Sequence, residues 1–228
     1  MPDRTFEILE AVVAEFIRTG EAVSSAGLFG RYDFGIRPAM IRSELQELTD
    51  AGFLEQLYHS AGRVPSDKAY QFFVEKVIER TKSDAHPTEK IRISFRNADW
   101  NDFSEALASH LGLLCVVDDV REEAVYKEGL DNLVRRLDWD SPEEIKQVIR
   151  DFEELDNRVS DFAKGFVNED GLDVFIGRRS PVTKSGQLAV VAANCESDDG
   201  NLVILGIGPK WMDYKKVIGT FKSFQNVG

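Results

Sequence analysis

A chain of 228 residues with 43% hydrophobic and 30% charged side chains has material for one or two domains with cores of their own, and its length favours two. Its longest apolar run, LGLLCVV at 111–117, falls far short of the ~20 residues of a membrane helix and reads as a buried strand, while MPDRTFEILEAV mixes charges with apolar residues and is no signal peptide. A net charge of −12 excludes a broadly basic nucleic-acid binder: residues 1–82 hold 10 Lys and Arg against 13 Asp and Glu, and the remainder 18 against 27. Any contact with DNA therefore has to come from a few positive groups on one face. Cys115 and Cys195 have neither metal-ligand spacing nor a disulfide framework, and a reducing cytoplasm is the expected compartment.

The first helix is predicted from about Arg4 to Thr19. Phe6, Leu9, Val13, Phe16 and Ile17 recur at helical spacing as one apolar stripe, and Gly20 stops it. Ser24 caps a short helix containing Leu28 and Phe29. DFGI makes a turn, and a third helix runs from Pro38 to about Ala51, with proline at the position where a missing N–H costs nothing. Ile41, Leu45 and Leu48 share its inner face; Arg42, Ser43 and Gln46 share the outer one, and all three can hydrogen-bond to base edges or phosphates. FLEQLYHS and GRVPS follow as short extended pieces around Ala61-Gly62, and a long helix leads out from about Ser66 to Lys82. This is the order of a winged helix-turn-helix, whose third helix enters the major groove while the hairpin lies on neighbouring backbone or minor groove. An outward polar face is common to any amphipathic helix, so the assignment of these three residues rests on that order.

SDAHPTEK at 83–90 is polar and aperiodic and reads as a linker. Beyond it, IRISF is predicted as a strand, Asp99 starts a helix from about Trp100 to Leu111, LLCVVDD is a strand and LDNLVRRL is helical. Ser141-Pro142-Glu143-Glu144 has a capping-box pattern at the head of another helix. DVFIG, LAVVAAN and NLVILGI are strands, the last two joined by the CESDDG turn, and a helix from about Met212 to Gln225 follows. Several strands with helices at both ends imply an α+β domain on an antiparallel sheet. His59, His86 and His110 are scattered, the acid pairs Asp118-Asp119 and Asp198-Asp199 fall at strand ends or turns, and GIGP is no phosphate loop, so neither an enzyme nor a cofactor or metal site is expected.

TGEAVSS at 19–25, RPAMIRSELQELTDAGFLEQ at 37–56 and HSAGRVPSDKAYQFFVE at 59–75 resemble the DNA-binding domain of the HrcA heat-inducible transcription repressors. VYKEGLDNLV at 125–134, DVFIG at 173–177 and GPKWMDYKKVI at 208–218 resemble the same family's GAF-like domain. The resemblance implies a winged helix-turn-helix over 1–82, a linker at 83–90 and a GAF-like regulatory domain over 91–228. It also implies a homodimer that represses chaperone genes from an inverted-repeat operator of double-stranded DNA, with a chaperonin as a further partner and no membrane. One departure is large: the dimerisation domain that the family carries inside its GAF-like part has no counterpart here, since only VREEA separates LLCVVDD from VYKEGLDNLV.

Three departures lie in the reading helix, where the family's Ser, Thr and Asn are Arg37, Met40 and Ser43. Losing a capping oxygen costs on the order of 1 kcal/mol, and a cation there opposes the helix dipole. Local stability thus gives no reason for Arg37, whereas a phosphate or a guanine edge does. At the wing, Gly62 is expected to permit a tight tip, Arg63 to project from it, Pro65 to end strand pairing and Lys68 to lie near the same face. The candidate DNA-binding set is Arg37, Met40, Arg42, Ser43, Gln46, Ser60, Arg63 and Lys68, with Arg31 and Tyr32 as further phosphate contacts. Tyr70, Phe72 and Phe73 are expected in the core. Two functions stand open: a sequence-specific repressor, favoured by these cations, and a shortened protein-interaction or sensory module, favoured by the acidic charge and the missing domain.

Overall fold

The computed structural model describes residues 3–56, 62–82, 87–137, 141–166, 171–197 and 200–225, and the chain divides into two compact units, Met1–Lys76 and Val77–Gly228.

The first unit holds α1 (Asp3–Thr19), α2 (Ser25–Arg31), α3 (Pro38–Asp50), β1 (Leu54–Glu55), β2 (Val64–Pro65) and most of α4 (Asp67–Arg80). Its core is built from Ile8, Leu9, Val12 and Val13 of α1, Leu28 of α2, Ile41, Leu45 and Leu48 of α3, and Tyr70 and Val74 of α4. The buried stripe of α1 is thus rotated from the expected one: Ile8 and Val12 are enclosed, while Phe6, Phe16 and Ile17 are half-buried. Phe6 and Phe53 both meet Phe72 edge-on, at 5.4 and 5.7 Å between ring centroids, which makes Phe72 a packing residue as expected. The Ser24 cap is present, its hydroxyl accepting from the Gly27 N–H at 3.0 Å. β1 and β2 pair antiparallel, Leu54 with Pro65 and Glu55 with Val64, and the second strand ends at the proline.

The second unit is an α+β fold on one antiparallel sheet of five strands, ordered β4-β3-β7-β6-β5. The strands are β3 (Leu114–Asp119), β4 (Ala124–Glu128), β5 (Leu172–Ile176), β6 (Leu188–Ser197) and β7 (Gly200–Pro209). Its helices are α5 (Glu89–Arg96), α6 (Trp100–Leu111), α7 (Leu130–Val134), α8 (Pro142–Glu153), α9 (Leu155–Gly165) and α10 (Tyr214–Gln225).

IRISF, expected as a strand, is instead the body of α5. Ile91, Ser94 and Phe95 are its buried residues, at i, i+3 and i+4. Phe95 lies 4.9–5.9 Å from the rings of Trp100, Phe103 and Phe224, so the helix is fixed by that aromatic cluster. Two elements had no counterpart in the sequence reading: the edge strand β4, only partly buried along its length, and α9, which follows directly after α8.

The sheet buries both faces. Leu114, Val116, Val190, Leu205 and Ile207 share a cluster with Leu133 of α7, Val148 of α8 and Leu155 and Val159 of α9. Strand alternation turns Cys115 and Val117 to the other side, where they too are buried. Burial alone pushes both thiols up, Cys195 to about 12, which leaves them unreactive.

Two carboxylates of α8 hold the segment between β5 and β6. Ser141 caps α8 as expected, accepting from the Glu144 N–H at 3.4 Å. Glu144 does not close a capping box, because its carboxylate accepts from Ser185 Oγ (2.9 Å), the Gly186 N–H (3.1 Å) and Arg178 (2.9 Å). Burial raises its carboxyl, but these donors outweigh burial and hold it below the usual range. Asp151 accepts from the N–H groups of Lys184 and Ser185, from Gln147 and from Arg158.

β3 and β4 form a hairpin with Asp119 opposite Ala124. Asp119 accepts from the N–H groups of Arg121 and Glu122 at 3.1 Å each, and from Trp100 Nε1 at 3.2 Å. The two strands are therefore joined by a tight turn at 120–123.

Candidate nucleic-acid interface

The outer face of α3 is divided by charge. Its N-terminal half exposes Arg37, Met40, Arg42 and Ser43; its C-terminal half exposes Glu47 and Asp50. Arg37 occupies the N-cap with extended backbone (φ −79°, ψ 157°) and makes no side-chain capping bond, since a guanidinium has no acceptor to offer. Met40 is 49% exposed, unusual for a methionine and suited to apolar contact. Among the described residues Arg42 has no hydrogen-bond or ion-pair partner. Gln46 is exposed on the same helix, and its Nε2 donates to Asp50 at 2.8 Å.

Arg63 does not project from a tip. Its backbone bridges to Val23 through reciprocal bonds of 2.7 and 2.8 Å. Its guanidinium folds back on α3, donating from Nε to Thr49 Oγ1 (2.8 Å) and from NH2 to Gln46 Oε1 (2.9 Å). Gln46 and Thr49, three residues apart on one helix face, receive it, and Gln46 in turn donates to Asp50. Lys68 is likewise engaged: its ammonium donates to the Ala51 carbonyl at 2.8 Å, just past the end of α3, and sits 4.1 Å from the centre of the Phe53 ring. Ser60 lies outside the described residues. The structure thus brings Arg37, Met40, Arg42, Ser43 and Gln46 onto one surface and ties Arg63 and Lys68 into the scaffold behind it.

Gly62 has a different reason from a tight tip. A Cβ there would lie 2.7 Å from the carbonyl carbon and oxygen of Ala22 and from the Val23 oxygen, all backbone atoms that cannot swing aside. Glycine lets the wing strand approach the segment before α2 closely enough for the Val23–Arg63 bridge. Gly62→Ala is expected to break that bridge and destabilise the first unit by about 1–3 kcal/mol, read as a lower urea midpoint at unchanged slope; an unchanged midpoint would show that the close approach is dispensable.

Arg31 and Tyr32 are both engaged by Glu15. The Glu15 carboxylate accepts from Arg18 (2.7 Å), Arg31 (3.0 Å) and Tyr32 Oη (2.9 Å). The Arg18 bond, the Tyr32 bond and the nearby positive charges outweigh burial and hold its carboxyl below the usual range, while burial and the bond to Glu15 raise the Tyr32 phenol. Sequence reasoning missed Glu15 as a hub, and it missed Phe29, 51% exposed on α2. Phe29 had a signal: on a seven-residue helix it stands next to the buried Leu28, so both cannot face inward.

A family model, HrcA protein C terminal domain, matches residues 58–218. Over 95 residues the chain is 39% identical to the heat-inducible transcription repressor HrcA of Alkaliphilus metalliredigens (42% of this chain, 28% of that protein). Over 93 residues it is 41% identical to the repressor of the same name from Caldanaerobacter subterraneus (40% of this chain, 27% of that protein). The aligned stretch is thus little more than a quarter of the length of these relatives. A crystal structure of a hypothetical protein shares the fold along the chain, with a TM-score of 0.75 at 15% identity, covering 98% of this chain and 99% of the other. Since the family model spans well over half of the residues, the chain belongs to the HrcA family.

Proposed function

We propose that this protein is a transcriptional repressor that reads an inverted-repeat DNA operator of heat-shock or chaperone genes. In this reading the first unit is a winged helix-turn-helix and the second a GAF-like regulatory domain. The observation that carries it is the outer face of α3, whose exposed Arg37, Met40, Arg42 and Ser43 make no side-chain hydrogen bond or ion pair among the described residues. They occupy the N-terminal end of the helix, the end that reaches base edges in helix-turn-helix proteins. Arg42 suits a guanine edge or phosphate, Ser43 and Gln46 suit polar edges, and Met40 suits a thymine methyl. Homodimerisation follows from the two-fold symmetry of such an operator, and a chaperonin as a further partner is part of the same proposal.

Fluorescence anisotropy with a duplex carrying the family's inverted repeat, against a scrambled duplex of equal length, tests this. Selective binding with a steep salt dependence is expected, because each neutralised phosphate adds to the slope. Equal or absent binding by the folded protein overturns it. The second reading, a protein-interaction module that no longer reads DNA, has one observation in its favour: the tight β3–β4 turn that stands where the dimerisation domain would be inserted.

A further inference from the structure

We propose that the second unit carries a binding cleft for a compact polyphosphate anion of the pyrophosphate class, at the start of α10. The cleft is about 590 Å³, within the size range of small-molecule sites. Arg80, Lys82, Lys215 and Lys216 line it together with Asp213. Four cations against one acid stand out in a unit that holds 20 Lys and Arg against 28 Asp and Glu.

Asp213 is already engaged. It accepts from the Lys216 N–H at 3.0 Å and so serves the head of α10, which leaves the side-chain cations, and not the helix end, as the attracting groups. The cleft is also built in advance. Lys222 donates to the carbonyls of Ile78 (2.7 Å) and Thr81 (2.9 Å), holding the segment that bears Arg80 and Lys82 against α10. Lys216 donates to the His110 carbonyl. Lys82 and Lys215 are exposed and have no hydrogen-bond or ion-pair partner among the described residues. Holding several cations around one carboxylate is unfavourable, and a multivalent anion lowers that cost.

A compact anion fits better than a nucleic-acid backbone. A long polyanion has to continue past the cleft over the surface of a unit with an excess of acids, whereas a diphosphate ends inside it. This site is independent of the α3 surface, so it stands or falls apart from the repressor reading.

Isothermal titration of the full chain with inorganic pyrophosphate tests it, with inorganic phosphate and a duplex of random sequence as comparators. Saturable one-to-one binding of pyrophosphate is expected, at least tenfold weaker in Lys82→Gln/Lys215→Gln and not displaced by the duplex. Among the described residues these side chains make no hydrogen bond or ion pair, and an unchanged circular dichroism melt confirms that the variant is folded. Absence of saturable binding, or equal binding by the double variant, overturns the proposal. Displacement by the duplex that is itself lost in the double variant reassigns the cleft to DNA backbone and overturns it as well.

Discussion

Asp151→Ala is expected to destabilise the second unit by roughly 3–5 kcal/mol, the range for removing one partner of a buried ion pair. The Asp151 side chain is 3% exposed and lies 2.8 Å from Arg158. It also accepts from the Lys184 N–H (2.8 and 2.9 Å to its two oxygens) and the Ser185 N–H (2.8 Å). Alanine removes the acceptor of the Lys184 and Ser185 N–H groups, and a buried unpaired amide is costly in itself. The segment after β5 would lose its main anchor, with Glu144 holding only Ser185, Gly186 and Arg178. Chemical denaturation followed by tryptophan fluorescence measures the loss, and Asp151→Asn is expected to recover part of it by keeping one acceptor oxygen. A wild-type midpoint in the alanine variant would show that water replaces the carboxylate at this point.

Arg42→Ala is expected to weaken binding to the cognate duplex by roughly 1–3 kcal/mol, the range for losing a good base contact. The same substitution should leave affinity for scrambled DNA nearly unchanged if Arg42 reads a base, and lower both together if it neutralises a phosphate. Its side chain has no internal partner among the described residues, so folding should be unaffected. Lys68→Met is the control. Because Lys68 is held at the Ala51 carbonyl and over Phe53, its loss should lower thermal stability and leave the salt slope of DNA affinity where it was. A shallower slope in Lys68→Met would instead place its ammonium at the DNA.

Most of the first unit was legible because its signals are local. The Ser24 cap, Pro38 at a helix start and the Ile41, Leu45, Leu48 spacing depend on neighbours within a few residues. Arg63 shows the limit. A charge beside a glycine in a turn reads as solvent-facing, and nothing local says that Thr49 and Gln46, 14 and 17 residues earlier, will receive it. IRISF fails differently: I-R-I-S-F alternates with period 2, while Ile91 and Phe95 also satisfy a helix. The choice is made by Trp100, Phe103 and Phe224, aromatic rings that lie later in the chain. Strand β4 was missed because an edge strand half open to solvent carries little hydrophobic pattern. On the candidate surface, the exposure of the α3 residues follows from helix phase, whereas the contacts of Arg63 and Lys68 follow from tertiary approach.

The β3–β4 turn makes the second unit a natural grafting point. The chain leaves the sheet at Asp119 and re-enters it directly opposite, at Ala124. Meanwhile β3 is held on its other side by β7, where Asp119 faces Leu202. Anything spliced between those two stems leaves the register of β3 fixed by β7, and lengthening a loop costs only slowly with length. A folded module whose own ends lie close together, such as a fluorescent reporter, can therefore be hosted there without shifting a strand. By the same geometry, a lineage can acquire or shed a whole module at this position in one step, with the rest of the fold unaltered.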